Sequence, residues 1–546
     1  MTNKTRLTLC VFVLGGLLSG SLWLKAQRTD ARPLPELLPP GALLYLEARD
    51  LHRLVSQWNS SSEKATWLRG ANFQVLSQSR LVQRLGEAQT QFQTVAGIPV
   101  QMNLLDQVAG TQSAFAFYDL PTLSFIFVTR LDEAQLNATD LWKKRTGYQT
   151  RQVSGISFYV KEGTGEEART VAFAFYEGWL VLATDADRMA RTLTLLARQP
   201  AASLGAEGWF KEALAQAPAQ GGLRLVYDLA KLIRTPQFRT YWIHRNKSEL
   251  QPFVSGISDL FEQPSGFEER RALIRGAAAA GSTPDGAALA EVLQHVPAGA
   301  SLYRAWALPD RQTLRSVLQQ VVLSTPLRNE SLNREAPQVT AEAGVAGSVA
   351  DLETRIDQAE YKRAQQQTID EVQRAIAAMQ PAALLHIQTT ALLDDKVFLL
   401  PQSEAVIFCR HPDLAAIEKA LDVSAGLLKT GSLDTLRVTA IGNLLVLSRI
   451  PIGNAEPGPV LGTNAIYAAG YNHAADWPRY KAVFGDVDRS VTNPEMPAPA
   501  NAPAFFAGNL GSLGDALSRV AKASMVTLDD QTVVRDTVRY DLAKVQ

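Results

Sequence analysis

The chain has 546 residues, and its 54 Lys and Arg are balanced by 54 Asp and Glu, so it lacks the cationic surplus of a general nucleic-acid binder. With 46% apolar and 20% charged residues, 36 Gly and 27 Pro, it is neither a disordered nor a low-complexity chain, and two Cys cannot build a disulfide framework. At about 100–200 residues per domain, the length predicts about two to four domains.

The first element is an uncharged run, Leu7–Leu24, with Lys4 and Arg6 before it and Lys25 and Arg28 behind it. Eighteen residues of helix span about 27 Å, close to the hydrocarbon thickness of a thin bilayer. We read residues 1–28 as a signal anchor that contacts the lipid bilayer through Leu7–Leu24. The competing reading is a cleaved secretory signal cut near Ser19-Gly20-Ser21, which would leave Leu22, Trp23 and Leu24 exposed at the new start. Cys10 lies too early in the run to accept a lipid. Either reading sends the rest of the chain out of the cytoplasm, into the periplasm if the source is a double-membraned bacterium. Residues 29–41, with Pro33, Pro35, Pro39 and Pro40, form a stiff spacer.

Beyond the spacer the sequence repeats itself. Leu38-Pro39-Pro40-Gly41-Ala42-Leu43-Leu44-Tyr45 matches Val296-Pro297-Ala298-Gly299-Ala300-Ser301-Leu302-Tyr303, each a proline turn opening a strand that leads to a helix. Gln112–Phe117 is matched with Gln402–Phe408, Val171–Ala183 with Val438–Ser448, and Leu223–Leu229 with Ala504–Leu510. In the third pair, Glu177-Gly178 and Gly442-Asn443 each separate two β-rich runs and predict hairpins. The closing segments, Phe267–Arg275 and Val533–Tyr540, alternate as half-buried strands do. Together these predict an α+β fold: a tandem duplication of an antiparallel-sheet domain with flanking helices, preceded by one transmembrane helix. The first α+β unit is placed at 42–275, an Ala/Gly linker at 276–290 and the second unit at 291–546.

The second unit carries a helical insertion near 341–380. Val345, Val349, Leu352, Ile356 and Ala359 are spaced as a seam, and Ile369, Val372, Ile376 and Met379 resume it in a shifted phase. Packing against its own sheet is favoured over projection toward a partner. Thr492–Pro503, with four prolines, reads as an extended surface loop.

Catalytic patterns are few. The chain has no zinc-protease helix, phosphate loop or calcium loop. Ser61-x-x-Lys64 and Lys429-Thr430-Gly431 look like two of the three motifs of penicillin-recognising serine enzymes, but the Ser-Asp-Asn element is missing and the two fall in different repeats. Cys409-Arg410-His411 offers two of the four ligands zinc wants and reads as a buried strand end. His386 reads as a strand histidine. No metal and no cofactor are expected.

The best candidate surface is the basic stretch Lys231–Lys247. Lys231, Arg234, Arg239, Arg245 and Lys247 supply charge, while Phe238, Tyr241 and Trp242 fall on one helical face. Such a helix can lie on an anionic membrane or hold an acidic partner. The competing reading packs the aromatics into the first unit and leaves the cations in water.

Through Leu38–Tyr45, together with Arg239-Thr240-Tyr241-Trp242-Ile243-His244-Arg245-Asn246, the chain resembles a family of uncharacterised bacterial membrane-anchored envelope proteins. The resemblance covers most of the first unit and is looser in the second. It implies an anchor followed by a repeated α+β domain, and it brings no activity or site residues. The expectation is a membrane-tethered extracytoplasmic binding or scaffold protein with an envelope protein as partner. The alternative is an envelope-acting hydrolase with a site between the two units.

Overall fold

The computed structural model describes residues 32–119, 121–163, 169–236, 250–279, 284–322, 366–392, 399–422, 436–450, 452, 461–491, 508 and 511–543. The run Leu7–Leu24, the aromatic part of the basic stretch, the seam from Val345 to Ala359, Lys429-Thr430-Gly431 and the loop Thr492–Pro503 lie outside them. Among the described residues no helix is long and apolar enough to cross a membrane.

The chain forms two compact units. The first takes Met1–Ala280, Gly508–Arg519 and Asp530–Lys544, and the second takes Gly281–Ala507 and Val520–Asp529, with the last two residues. The first contributes β1 (Leu44–Ala48), β2 (Ser113–Asp119), β3 (Ser124–Arg130), β4 (Gln149–Val153), β5 (Ile156–Glu162), β6 (Thr170–Tyr176), β7 (Trp179–Ala183), β8 (Leu223–Tyr227), β9 (Phe253–Gln263) and β10 (Gly266–Arg275). The second contributes β11 (Leu302–Ala307), β12 (Ala383–Leu392), β13 (Leu399–Phe408), β14 (Arg437–Ile441), β15 (Leu444–Ser448), β16 (Ala465–Asn472) and β17 (Val520–Asp529). The last strand, β18 (Val533–Leu542), belongs to the first unit.

All these pairings are antiparallel. In the first unit the order is β4-β5-β6-β7-β3-β2-β1-β8-β9-β10-β18. In the second it is β14-β15-β13-β12-β11-β16-β17. Starting from β6 and from β14, the two orders coincide strand for strand as far as β9 and β17. The hairpin β4–β5 has no counterpart among the described strands of the second unit.

Strand position corrects two of the sequence matches. From Ser113 onward, Gln112–Phe117 lies in β2, whose positional counterpart is β12, whereas Gln402–Phe408 lies in β13, the counterpart of β3. Likewise β8 corresponds in position to β16; Ala504–Leu510, its match in sequence, lies outside the described residues apart from Gly508. Alternating apolar strands resemble one another under a period-two rule, so local similarity cannot choose between neighbours in a sheet. Val533–Tyr540, read with the second unit, instead pairs with β10 from Ile274↔Val533 to Gly266↔Asp541.

Local chemistry explains where elements begin and turn. Asp50, Ser79, Asp185 and Asp285 each accept a backbone N–H at a helix start, and Asp132 with Gln135 forms a full capping box. Glu177 and Gly178 both have positive φ, 48° and 82°, as a two-residue type I′ turn demands. Gly442 alone has positive φ, 57°, in the shorter-stranded hairpin β14–β15.

One face of the first sheet places Tyr45, Ala116, Ile126, Val128, Val226 and Ile257 against Met189, Leu193 and Leu196 of the helix Ala186–Leu196 and Phe210 of Gly208–Ala215. Tyr45 meets Phe210 edge-on at 5.3 Å. The opposite face packs Phe127 and Leu180 with Val108, Leu131 and Leu136. In the second unit the helices Arg311–Val322 and 366–378 cover one face, burying Leu318, Val321, Ile369, Val372 and Ile376 with Leu384, Ala405 and Ile407. The described end of the 341–380 insertion therefore packs on its own sheet. The helix Gly286–Leu293 covers the other face; its first residues fall in the stretch read as linker.

Candidate functional site

The expected surface begins at the helix Leu229–Leu232. Asp228 caps it, accepting the Lys231 N–H at 3.0 Å, and its other oxygen takes the Lys231 ammonium at 2.8 Å. Lys231 and Arg234 are both exposed. Phe238, Arg239, Tyr241, Trp242, Arg245 and Lys247 lie outside the described residues.

Ser61 is an N-cap. Its Oγ accepts the Lys64 N–H at 3.1 Å and donates to the Trp58 carbonyl at 2.8 Å, while the Lys64 ammonium turns to Asn59 Oδ1. A serine nucleophile needs its lysine base on the hydroxyl, and this amine is engaged elsewhere. Cys409 is fully buried, its N–H donates to the Asn443 carbonyl, and burial pushes the thiol up to about 11. Among the described residues no three His, Cys, Asp or Glu side chains could hold a metal ion.

The densest polar constellation was not singled out in the sequence, and it sits on β8, β9, β10 and β18. Glu268-Glu269-Arg270-Arg271 is two acids followed by two bases, and strand alternation sorts one of each onto each face. On one face Arg270 Nε reaches Glu268 at 2.7 Å and Arg539 Nε reaches its other oxygen at 2.9 Å. On the other, Glu269 accepts from Arg271, from Ser258 Oγ at 2.7 Å and from the Tyr540 hydroxyl at 3.1 Å. Burial alone would raise both carboxyls, but these donors outweigh it and hold Glu268 and Glu269 below the usual range. One strand over, Arg224 and Asp259 form a buried bidentate pair. The signal in the sequence was the Glu-x-Arg spacing within a strand; the partners from β18 lie about 270 residues away, with |i−j| of 271, and no local pattern could supply them.

In the second unit the Arg304 Nη2 lies 3.1 Å from His386 Nδ1 across β11 and β12. Burial, and then the Arg304 charge, drive the imidazole down to about 3, so it is neutral with Nδ1 accepting. Glu404 is fully buried on β13 and takes the Arg449 N–H at 2.7 Å; burial raises its carboxyl. His386 pairs with Ala405, so alternation places Glu404 and His386 on opposite faces of the sheet. Ser301 Oγ donates to Asp476, and the His473 ring stacks on Trp477 at 5.6 Å with its Nδ1 3.4 Å from the Tyr471 hydroxyl. A hydroxyl held by a carboxylate is not the nucleophile–imidazole contact that acyl transfer requires.

No family model and no curated protein matches the chain. Two solved structures, crystal forms I and III of TP0453, are similar to part of it at 14% and 13% identity. Each covers 46% of this chain and 82% and 83% of its own length, with TM-scores of 0.25 and 0.24, a likeness too loose to carry any argument about function.

Proposed function

We propose that this is a membrane-tethered extracytoplasmic binding or scaffold protein, built from a duplicated antiparallel-sheet unit and held by Leu7–Leu24. The duplication is supported by the common order of seven strand positions in the two units, since chance would seldom reproduce a non-sequential order such as β7-β3-β2-β1-β8. The tether is supported by the eighteen uncharged residues and the proline spacer behind them. The binding reading is carried by one observation: the buried acids of the first sheet, Asp259, Glu268 and Glu269, are each met by arginine and so serve as structural ions. The basic stretch from Lys231 to Lys247, which opens on the exposed Lys231 and Arg234, is the surface offered to an acidic partner or an anionic bilayer.

The test is crosslinking of the full chain in intact membranes, with alkaline extraction alongside. The protein should stay with the bilayer at high pH, and an envelope protein should co-purify with it. Release into the soluble fraction removes the tether. Turnover of an envelope polymer by purified protein, with nothing associated, replaces the scaffold reading by the hydrolase one.

A further inference from the structure

Among the described strands, β14 forms an outer edge of the second unit's sheet. Among the described residues its strand partner is β15 alone, and Arg437, Thr439, Ala440 and Ile441 are exposed, Ile441 by 43%. Its positional counterpart β6 has β5 outboard of it and buries Ala172, Phe173 and Ala174. This position in the fold therefore accommodates one more antiparallel strand. Natural edges are blunted by lysine, proline, bulges or inward charges. β14 has no lysine or proline, and its register with β15 runs without a shift.

The hairpin geometry says which groups are open. Ile441 and Leu444 flank the two-residue turn and exchange both hydrogen bonds, so Thr439 and Arg437 also direct their N–H and C=O toward β15. Val438 and Ala440 direct theirs outward. We infer that this edge is a self-pairing surface, on which a second copy of the chain adds its own β14 antiparallel about Thr439.

Residues Arg437-Val438-Thr439-Ala440-Ile441 are complementary to themselves in that register. Val438 and Ala440 of the two copies face each other twice and exchange their outward bonds. Thr439 faces Thr439 as a non-hydrogen-bonded pair, and each Arg437 faces an Ile441, so no like charges meet. A five-residue edge is short against the standard interface of about 1,200–2,000 Å². The association is therefore weak and reversible, and covalent trapping is the way to read it. The inference does not depend on the tether.

The experiment uses the full chain in detergent with Cys10→Ser, leaving buried Cys409 in place, under mild oxidation. Thr439→Cys should give a disulfide-linked homodimer, because facing Cβ atoms in such a pair lie about 4.5–5.5 Å apart, within small adjustment of disulfide reach. Arg437→Cys should give at least tenfold less, since its two copies sit four residues of strand apart, about 14 Å. Ala440→Pro, added to Thr439→Cys, removes an outward N–H and leaves the β15 ladder intact, so the yield should fall at least tenfold. Absence of dimer with Thr439→Cys, equal yields from positions 437 and 439, or indifference to the proline each overturns the inference.

Discussion

Arg224 and Asp259 face each other across β8 and β9 and are joined by three short contacts: Nε at 2.9 and 3.1 Å from the two carboxylate oxygens, and Nη2 at 2.9 Å from Oδ2. The pair is sealed from water, with side-chain exposures of 9% and 1%. Nη2 also donates to the Ala217 and Ala219 carbonyls, and Oδ1 accepts the Gly221 N–H. Two-pronged contact and additional backbone hydrogen bonds are what let a buried ion pair hold its own against desolvation.

Breaking this pair from one side should cost more than removing it whole. Arg224→Met or Asp259→Leu alone strands a buried charge and should destabilise by about 3–5 kcal/mol, whereas the double substitution should recover most of that. Chemical unfolding of the four proteins in a double-mutant cycle measures it. A strictly additive cycle would show that the two groups do not act as a pair.

Tyr303 on β11 lies across from Gly470 on β16, and a Cβ on that glycine would stand 2.2 Å from the tyrosine ring. Tyr227 covers Gly256 in the same manner, at 2.5 Å. The glycine leaves the floor on which the ring rests. Gly470→Ala should therefore lower stability by about 1–3 kcal/mol, as overpacking does, although alanine suits a strand better than glycine. Adding Tyr303→Ala should restore part of the loss; thermal unfolding that ranks the double variant below Gly470→Ala would contradict this packing.

Histidine 386 ties stability to pH. Its folded value, about 3, lies below the ordinary 6.5, so between these limits the unfolded chain binds the extra proton. The contribution is complete above pH 6.5 and is lost as pH falls, with a slope of at most about 1.4 kcal/mol per unit. His386→Gln and His386→Leu should flatten unfolding free energy between pH 6.5 and 5 relative to the parent chain, which shares every carboxylate with them. An unchanged slope in both variants would remove His386 as the source.

Cys409 should be silent toward thiol reagents in the native protein. Full burial among Leu384, Ile407 and Leu445, with the thiol raised to about 11, denies it both access and thiolate. In a Cys10→Ser background, a disulfide reagent should label no thiol at pH 8 until denaturant is added, and then one. Rapid native labelling would mean that the second core opens.

Much of the architecture can be read before any coordinates. Glu177-Gly178 and Gly442-Asn443 mark hairpins because a two-residue turn demands positive φ where glycine supplies it cheaply. The proline turns before Tyr45 and Tyr303 open β1 and β11, and Ile369, Val372 and Ile376 form the buried stripe that their spacing predicts. These are short-range properties, set by backbone sterics and helical period, and they survive any global arrangement.

Neighbourhood in the sheet was settled at longer range. Nothing local distinguishes β2 from β3 as the partner of β1, or sends β18 back to β10, because strands that alternate in the same way present equivalent edges. The choice falls to side chains that meet only after folding: Arg224 with Asp259, Glu268 with Arg539, Glu269 with Tyr540. A buried charge is tolerated only where counterions and hydrogen-bond donors surround it, so the pairing of distant strands and the completion of these contacts are one decision, made in three dimensions.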